Sequence, residues 1–282
     1  MIKITFSTRC LSFVGGASII FVALFLLFGV ASSRASEKVD LLLVLAADIS
    51  HSVDTEKFKL QREGYGKAIT DRGVLSAIRS GPIGSIGVCF IEWSDSFWQD
   101  LVVDWTLIKS EAAARHFSEK IIGASRSSSG RTSISAAIDF AVAQFERAPF
   151  ESARQIIDIS GDGDNNAGRG VTSARDEALA RGVTINGLVI LSDGPHDHTN
   201  PLGGLEEYYR SNVIGGRGAF VTVSQDFRTF GNAIIRKLTT EIAHRLPLSN
   251  SPKGSTTQRE QTFLPSGRLA GTAALPSGRV MP

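Results

Sequence analysis

The chain has 282 residues, 42% of them hydrophobic, enough for one large domain with a full core. A formal net charge of +2 builds no basic field of the kind that gathers nucleic acid, so nucleic-acid binding is excluded as a leading function. Two cysteines, Cys10 and Cys89, are too few for a disulfide framework.

Met1 to Arg9 carries Lys3 and Arg9 and no acid, and Leu11 to Val30 runs without a charge. Ser33-Arg34-Ala35 follows with small residues at the two cleavage-determining positions. That order is the order of a secretory signal peptide. The apolar run is also long enough to span a bilayer, so an uncleaved anchor over residues 11–30 is the alternative. In both readings the remainder lies across the membrane, because the positive residues come first. The expected localisation is therefore periplasmic or secreted, with membrane contact only through that anchor. Without residues 1–35 the balance is 27 basic against 28 acidic residues, so electrostatics alone names no partner. Cys89 then stands alone in an apolar run, where it reads as a small buried hydrophobe.

The next segments alternate in type. Val39 to Ala47 is a continuous apolar run, as a strand covered on both faces requires. Asp54 to Thr70 reads as a helix, Ile83 to Trp93 as a second buried strand, and Phe97 to Trp105 as an antiparallel edge strand. Ser110 to Ile122 is helical. A Ser/Gly-rich loop, Gly123 to Thr132, leads into an amphipathic helix, Ser133 to Arg147, with Ile134, Ile138, Val142 and Phe145 at helical spacing. Arg154 to Ile159 is a strand, Val171 to Arg181 a helix stopped by Gly182, and Val183 to Leu191 a strand. Leu202 to Ser211 forms a short helix and Ala219 to Val223 a last strand. Asp226 caps a final helix with Phe227, Phe230, Ile234, Leu238 and Ile242 on one face. The alternation predicts an α/β fold, a doubly wound and mostly parallel sheet with helices on both faces. The expected domain covers 36–245. Residues 246–282 hold five prolines and a repeated Leu-Pro-Ser-Gly-Arg, at 264–268 and 275–279, without apolar periodicity. They read as a disordered tail.

The chemistry concentrates after the first strand. Asp48-Ile49-Ser50-His51-Ser52 offers a carboxylate and two hydroxyls at alternate positions, so three oxygens can converge in one turn. In doubly wound sheets ligands bind beyond the carboxyl ends of the strands, where strand order reverses. Thr132 precedes a helix and can approach the same crevice. Asp162, in Asp158-Ile159-Ser160-Gly161-Asp162-Gly163, follows a strand that would lie beside the first. An all-oxygen set suits a hard divalent cation, Mg²⁺ first, with Mn²⁺ and Ca²⁺ as alternatives.

Asp48-x-Ser50-x-Ser52, Thr132 and Asp162-Gly163 resemble the metal-ion-dependent adhesion site of von Willebrand factor A domains, over roughly Val39 to Arg245. Phe90-Ile91-Glu92-Trp93-Ser94, Ser160 to Asn166 and Val213-Ile214-Gly215-Gly216 resemble more closely an uncharacterised group of secreted bacterial relatives with no assigned activity. The resemblance implies that Asp48, Ser50, Ser52, Thr132 and Asp162 hold the ion directly or through water. It implies further that a protein partner presenting an acidic side chain completes the coordination. The expected function is thus a binding module rather than an enzyme.

Other readings stand beside this one. Asp48 alone reads as a helix cap with Ser50 and Ser52 as turn residues, and Thr132 alone as a helix N-cap. Leu191-Ser192-Asp193-Gly194 also ends a strand in Asp-Gly, one unit further on. His51 reads as an exposed loop residue beside the site, His196 and His198 as a solvated loop, and Glu92 as a crevice residue or the partner of an Arg. Asn165 and Asn166 shape the turn after Asp162. Phosphatases resembling the haloacid-dehalogenase group need Asp-x-Asp where Ser50 stands here, and no GxSxG elbow or phosphate-loop pattern occurs. A metal that only ties the loops together is the remaining alternative.

Overall fold

Seven consecutive buried residues, Leu42–Asp48, form the strand around which the fold is built, β2. The computed structural model describes residues 36–127, 129–191 and 204–243. The chain divides into two units, residues 1–245 and 246–282, and every described residue belongs to the first. The leader, the tail, Asp193, His196 and His198 lie outside the described residues. Among the described residues no helix is long and apolar enough to cross a membrane.

In chain order the strands are β1 (Glu37–Lys38), β2, β3 (Ile86–Trp93), β4 (Gln99–Ile108), β5 (Phe150–Glu151), β6 (Gln155–Gly161), β7 (Thr184–Ile190) and β8 (Val221–Ser224). The helices are α1 (Thr55–Thr70), α2 (Arg72–Arg79), α3 (Glu111–Gly123), α4 (Ile134–Glu146), α5 (Val171–Ala180), α6 (Gly204–Tyr208, continued by a π-helical turn, Tyr209–Val213) and α7 (Phe230–Ala243). Six strands form one sheet in the order β4-β3-β2-β6-β7-β8, all parallel except β4, which runs antiparallel to β3. β1 and β5 form a separate parallel pair.

The run Leu42–Ala47 is continuously apolar because it has no solvent face. Leu43, Leu45 and Ala47 enter a core with Tyr65, Phe117, Phe230 and Leu238 from α1, α3 and α7. Leu42, Val44 and Ala46 enter a second core with Ile138 and Ala141 of α4, Ala174 of α5 and Val213. Each such leucine contributes about 2–3 kcal/mol on burial.

The caps set the helix starts. Asp54 accepts from the Lys57 N–H, Ser110 from Ala113 and Ser133 from Ala136. Asp71 is extended and accepts from the Gly73 and Val74 N–H groups, which ends α1 and opens α2, a helix missing from the sequence expectation. The expected edge strand shifts along the chain: Phe97 and Trp98 sit in the β3–β4 turn, closed by the Ser94 N–H on the Trp98 carbonyl, and the ladder begins at Gln99. The loose alternation over Phe97 to Trp105 reads as strand, but the backbone of Phe97 and Trp98 belongs to the turn. Asp226 accepts from the Thr229 N–H at 2.7 Å in a turn, and the final helix begins at Phe230.

Candidate metal centre

The chain leaves β2 for β3 and β4 on one side of the sheet and returns to β6, β7 and β8 on the other. The reversal opens a crevice beyond the carboxyl ends of β2 and β6. β2 ends at Asp48 and β6 at Gly161, so both acids stand at its mouth. β7, which leads toward Asp193, pairs with β6 and not with β2.

The turn after β2 is built from its own polar atoms. The Ser50 N–H donates to Asp48 Oδ1 at 2.7 Å, and the Val53 N–H to the Ser50 carbonyl at 3.0 Å. Arg126 donates from Nη2 to the carbonyls of Ile49 and Val53, both at 2.8 Å, holding the turn from outside. Ser50 and Ser52 then face the same side, their hydroxyls 3.1 Å apart, and Ser52 Oγ donates to Asp162 Oδ1 at 2.5 Å. Asp48 is not a helix cap; that role belongs to Asp54.

Thr132 arrives by a different route. The His51 N–H donates to the Gly130 carbonyl at 2.8 Å, tying the two loops together. The Thr132 N–H donates to Asn166 Oδ1 at 3.0 Å, and the Thr132 carbonyl accepts from the N–H groups of Asn166 and Ala167. Asn165 Oδ1 accepts from the Ser135 N–H at 2.9 Å, and its own N–H donates to Tyr208 Oη at 3.1 Å. Both asparagines therefore do more than shape a turn: they fasten the Thr132 loop to the segment after Asp162. Ser133, not Thr132, caps α4, so the Thr132 hydroxyl is not spent on the helix. It lies 3.6 Å from the position a Cβ on Gly163 would occupy.

Two carboxylates in one buried crevice repel. Burial first and Asp162 second push the Asp48 carboxyl up to about 8. Burial also raises Asp162, against the Ser52 hydrogen bond and Lys57, which pull it down. Asp48 Oδ2 and Asp162 Oδ2 are both buried without a hydrogen-bond partner. Lys57 Nζ lies 4.0 Å from Asp162 Oδ2, too long for a hydrogen bond. Unpaired buried carboxylate oxygens are costly unless a proton or a cation meets them. Among the described residues no group of three His, Cys, Asp or Glu converges; the candidate donors here are two carboxylates and three hydroxyls. That set fits a hard divalent ion.

Tyr209 carried no signal in the sequence, and Gly161 none beyond its place in the segment Ser160 to Asn166. Tyr209 is fully buried, its hydroxyl without a partner. A Cβ on Gly161 would lie 2.6 Å from Tyr209 Oη and 3.1 Å from Asp48 Oδ2, so glycine lets phenol and carboxylate close over the strand end. The π-helical turn, in which the Ile214 N–H reaches back to the Tyr209 carbonyl, sets Tyr209 there. Of the remaining candidates, Glu92 is buried and paired with Arg62 at 2.8 Å, as the partner of an arginine. Cys89 is fully buried and burial pushes its thiol up, the environment of an inert core cysteine. His51 is exposed beside the site and lines a cleft of about 470 Å³ with Thr55 and Arg126.

A family model described as "Protein of unknown function (DUF1194)" matches residues 38–246. No curated protein matches the chain in sequence. Among solved structures it resembles proximal thread matrix protein 1 from the mussel byssus at 13% identity, with a TM-score of 0.52, covering 73% of this chain and 47% of that one. The same protein "with zinc occupied MIDAS motif" matches at 14% identity and a TM-score of 0.50, covering 74% of this chain and 47% of that one. The chain thus spans about half the length of the solved structures it matches. The shared feature is the fold, that of a von Willebrand factor A domain.

Proposed function

The chain belongs to the DUF1194 family and has the von Willebrand factor A fold, and from that premise we propose that it is a divalent-cation-dependent protein-binding module acting outside the cytoplasm. Asp48, Ser50, Ser52, Thr132 and Asp162 would hold the ion, Mg²⁺ before Mn²⁺ or Ca²⁺. The observation that carries the reading is the pair of buried, unpartnered oxygens, Asp48 Oδ2 and Asp162 Oδ2, at the mouth of the switch-point crevice. The zinc-occupied motif of the mussel protein supports a divalent ion in this fold.

The bound ion supplies a Lewis-acidic position that an anionic side chain can complete. This chain's residues do the remainder. Two carboxylates leave one divalent ion only formally neutralised, and the three hydroxyls add oxygens without further negative charge. An incoming carboxylate therefore meets an ion that still attracts it. Arg126 and the two asparagines keep the loops in place before a partner arrives, which lowers the ordering cost of binding. The proposed organisation is a leader over 1–35, the binding domain over 36–245 and a tail beyond it. The run of apolar residues after Lys3 and Arg9 supports export, and the family match over 38–246 supports the domain limits.

Calorimetric titration of Mg²⁺ into the purified protein, with Asp48→Ala as control, tests this. One ion bound by wild type and an affinity at least about 100-fold weaker in the variant is the expected result. Folded wild type that binds no Mg²⁺ or Mn²⁺, even with a carboxylate peptide present, overturns it. An ion that raises the melting temperature while no carboxylate peptide binds would reduce the metal to a structural tie.

A further inference from the structure

The turn between β3 and β4 stands at the same end of the sheet as the crevice, because β3 runs parallel to β2. It carries Phe97, 90% exposed, and Trp98, 53% exposed, the exposed large aromatic side chains among the described residues. Such exposure costs solubility and is uncommon where nothing docks.

The turn is rigid. Asp95 Oδ1 accepts from the Ser96 N–H at 2.6 Å, and the Asp95 carbonyl accepts from the Trp98 N–H at 3.1 Å and from Gln99 Nε2 at 2.6 Å. It is also part of the rim of the crevice. The Ser133 N–H, next to Thr132, donates to the Ser94 carbonyl at 2.7 Å. A Cβ on Gly130 would touch Asp95 at 3.0 Å, and one on Gly168 would touch Ser96 at 3.5 Å. Thr132, the loop after Asp162 and the aromatic pair thus form one continuous edge.

We infer that Phe97 and Trp98 are the apolar half of a two-part recognition surface, whose occupant is a partner segment with an acidic residue flanked by large apolar side chains. The inference rests on the proposed ion site. The ion takes the carboxylate and the aromatic pair takes the flanking side chain. Charge argues for a foreign segment over a second copy of this chain, since two copies facing across this rim would bring two cation sites together. Aromatic anchors on a preorganised turn beside a charged contact are the usual composition of an interface hot spot.

The test uses the full chain with saturating Mg²⁺ and two capped tripeptides, acetyl-Leu-Asp-Phe-amide and acetyl-Gly-Asp-Gly-amide. Wild type is expected to bind the apolar-flanked peptide about tenfold more tightly. In Phe97→Ser/Trp98→Ser the two peptides bind alike, while the Mg²⁺ affinity stays at the wild-type value. Phe97→Ser alone, at the most exposed position, replaces the double variant if that one misfolds. Equal binding of both peptides by wild type, or a preference that survives in the variant, overturns the inference and leaves the ion site standing. Binding of neither peptide to Mg²⁺-loaded protein sinks the carboxylate reading itself. Self-association, or binding to phosphatidylcholine vesicles, that the double variant abolishes would give the pair a different occupant and overturn the inference as well.

Discussion

Lys57 sets a positive charge against the candidate ion position. Its ammonium donates to the Ser52 carbonyl at 2.7 Å, lies 4.0 Å from Asp162 Oδ2 and rests over the Phe227 ring. A divalent ion shared by Asp48 and Asp162 would feel that charge across a few ångströms of partly buried space. At roughly 5 Å and an effective dielectric between about 20 and 80, the repulsion between a divalent ion and the ammonium is roughly 2–7 kcal/mol. Lys57→Met is therefore expected to tighten Mg²⁺ binding at least about tenfold by calorimetry; unchanged or weaker binding would mean the ammonium swings away. The alternation Asp48, Ser50, Ser52 was legible because a tight turn after a strand projects every second side chain to one side. Asp162 was legible because chain order alone put its strand next to the first. Tyr209 was not, since a lone tyrosine in a short mixed segment has no period to read. Gly161 was not, because its meaning lies in what a Cβ would strike.

At the scale of elements, α7 shows where pattern reading stops. Phe230, Ile234, Leu238 and Ile242 announced its apolar face, and they are buried as that spacing requires. An i,i+4 Lys–Glu pair such as Lys237 and Glu241 ordinarily lies on a solvated helix face. Both are instead fully buried, because β6 and β7 bring polar groups under the helix. Lys237 Nζ pairs with Asp158 Oδ1 at 2.7 Å and with Glu241, and Asn186 Nδ2 donates to Glu241 Oε1 at 2.7 Å. Asp158 sits mid-strand in an apolar run, and no feature of that run foretold a buried charge. Removing the ammonium would leave two carboxylates facing one another in the core. Lys237→Met is expected to cost about 3–5 kcal/mol near pH 8 in urea unfolding. The cost should shrink at pH 5, where Glu241, pushed up to about 8 by burial and by Asp158, holds a proton. A loss below 1 kcal/mol at pH 8 would show that water reaches the cluster. The short α2 escaped notice for a related reason: Asp71, one extended residue, divides what composition alone leaves continuous.

The alternation of strands and helices made the doubly wound architecture legible, and the architecture located the crevice before any side chain was placed. What sequence could not supply is how the buried acids act together on the whole molecule. Asp48 and Glu241 each keep a proton in the folded state up to about pH 8, and Asp162 and Glu92 shift in the same direction. The unfolded chain releases the protons of Asp48 and Glu241 near 3.8 and 4.5. Between those limits the native state binds more protons than the unfolded state, so stability of the metal-free protein must fall as pH rises from about 4 to 8. Each such proton contributes at most about 1.4 kcal/mol per pH unit. A cation bound by Asp48 and Asp162 takes the place of the proton, so Mg²⁺ should stabilise little at pH 5 and strongly at pH 8. Asp48→Asn removes both effects at once: the metal-free slope flattens by about one proton, and the Mg²⁺-induced rise in melting temperature disappears. The slope left behind then belongs to Glu241 and its neighbours, and Mg²⁺ should not touch it. Melting curves from pH 5 to 8 that rise instead of fall without metal, or a Mg²⁺ effect that survives Asp48→Asn, would detach the ion from this pair of carboxylates.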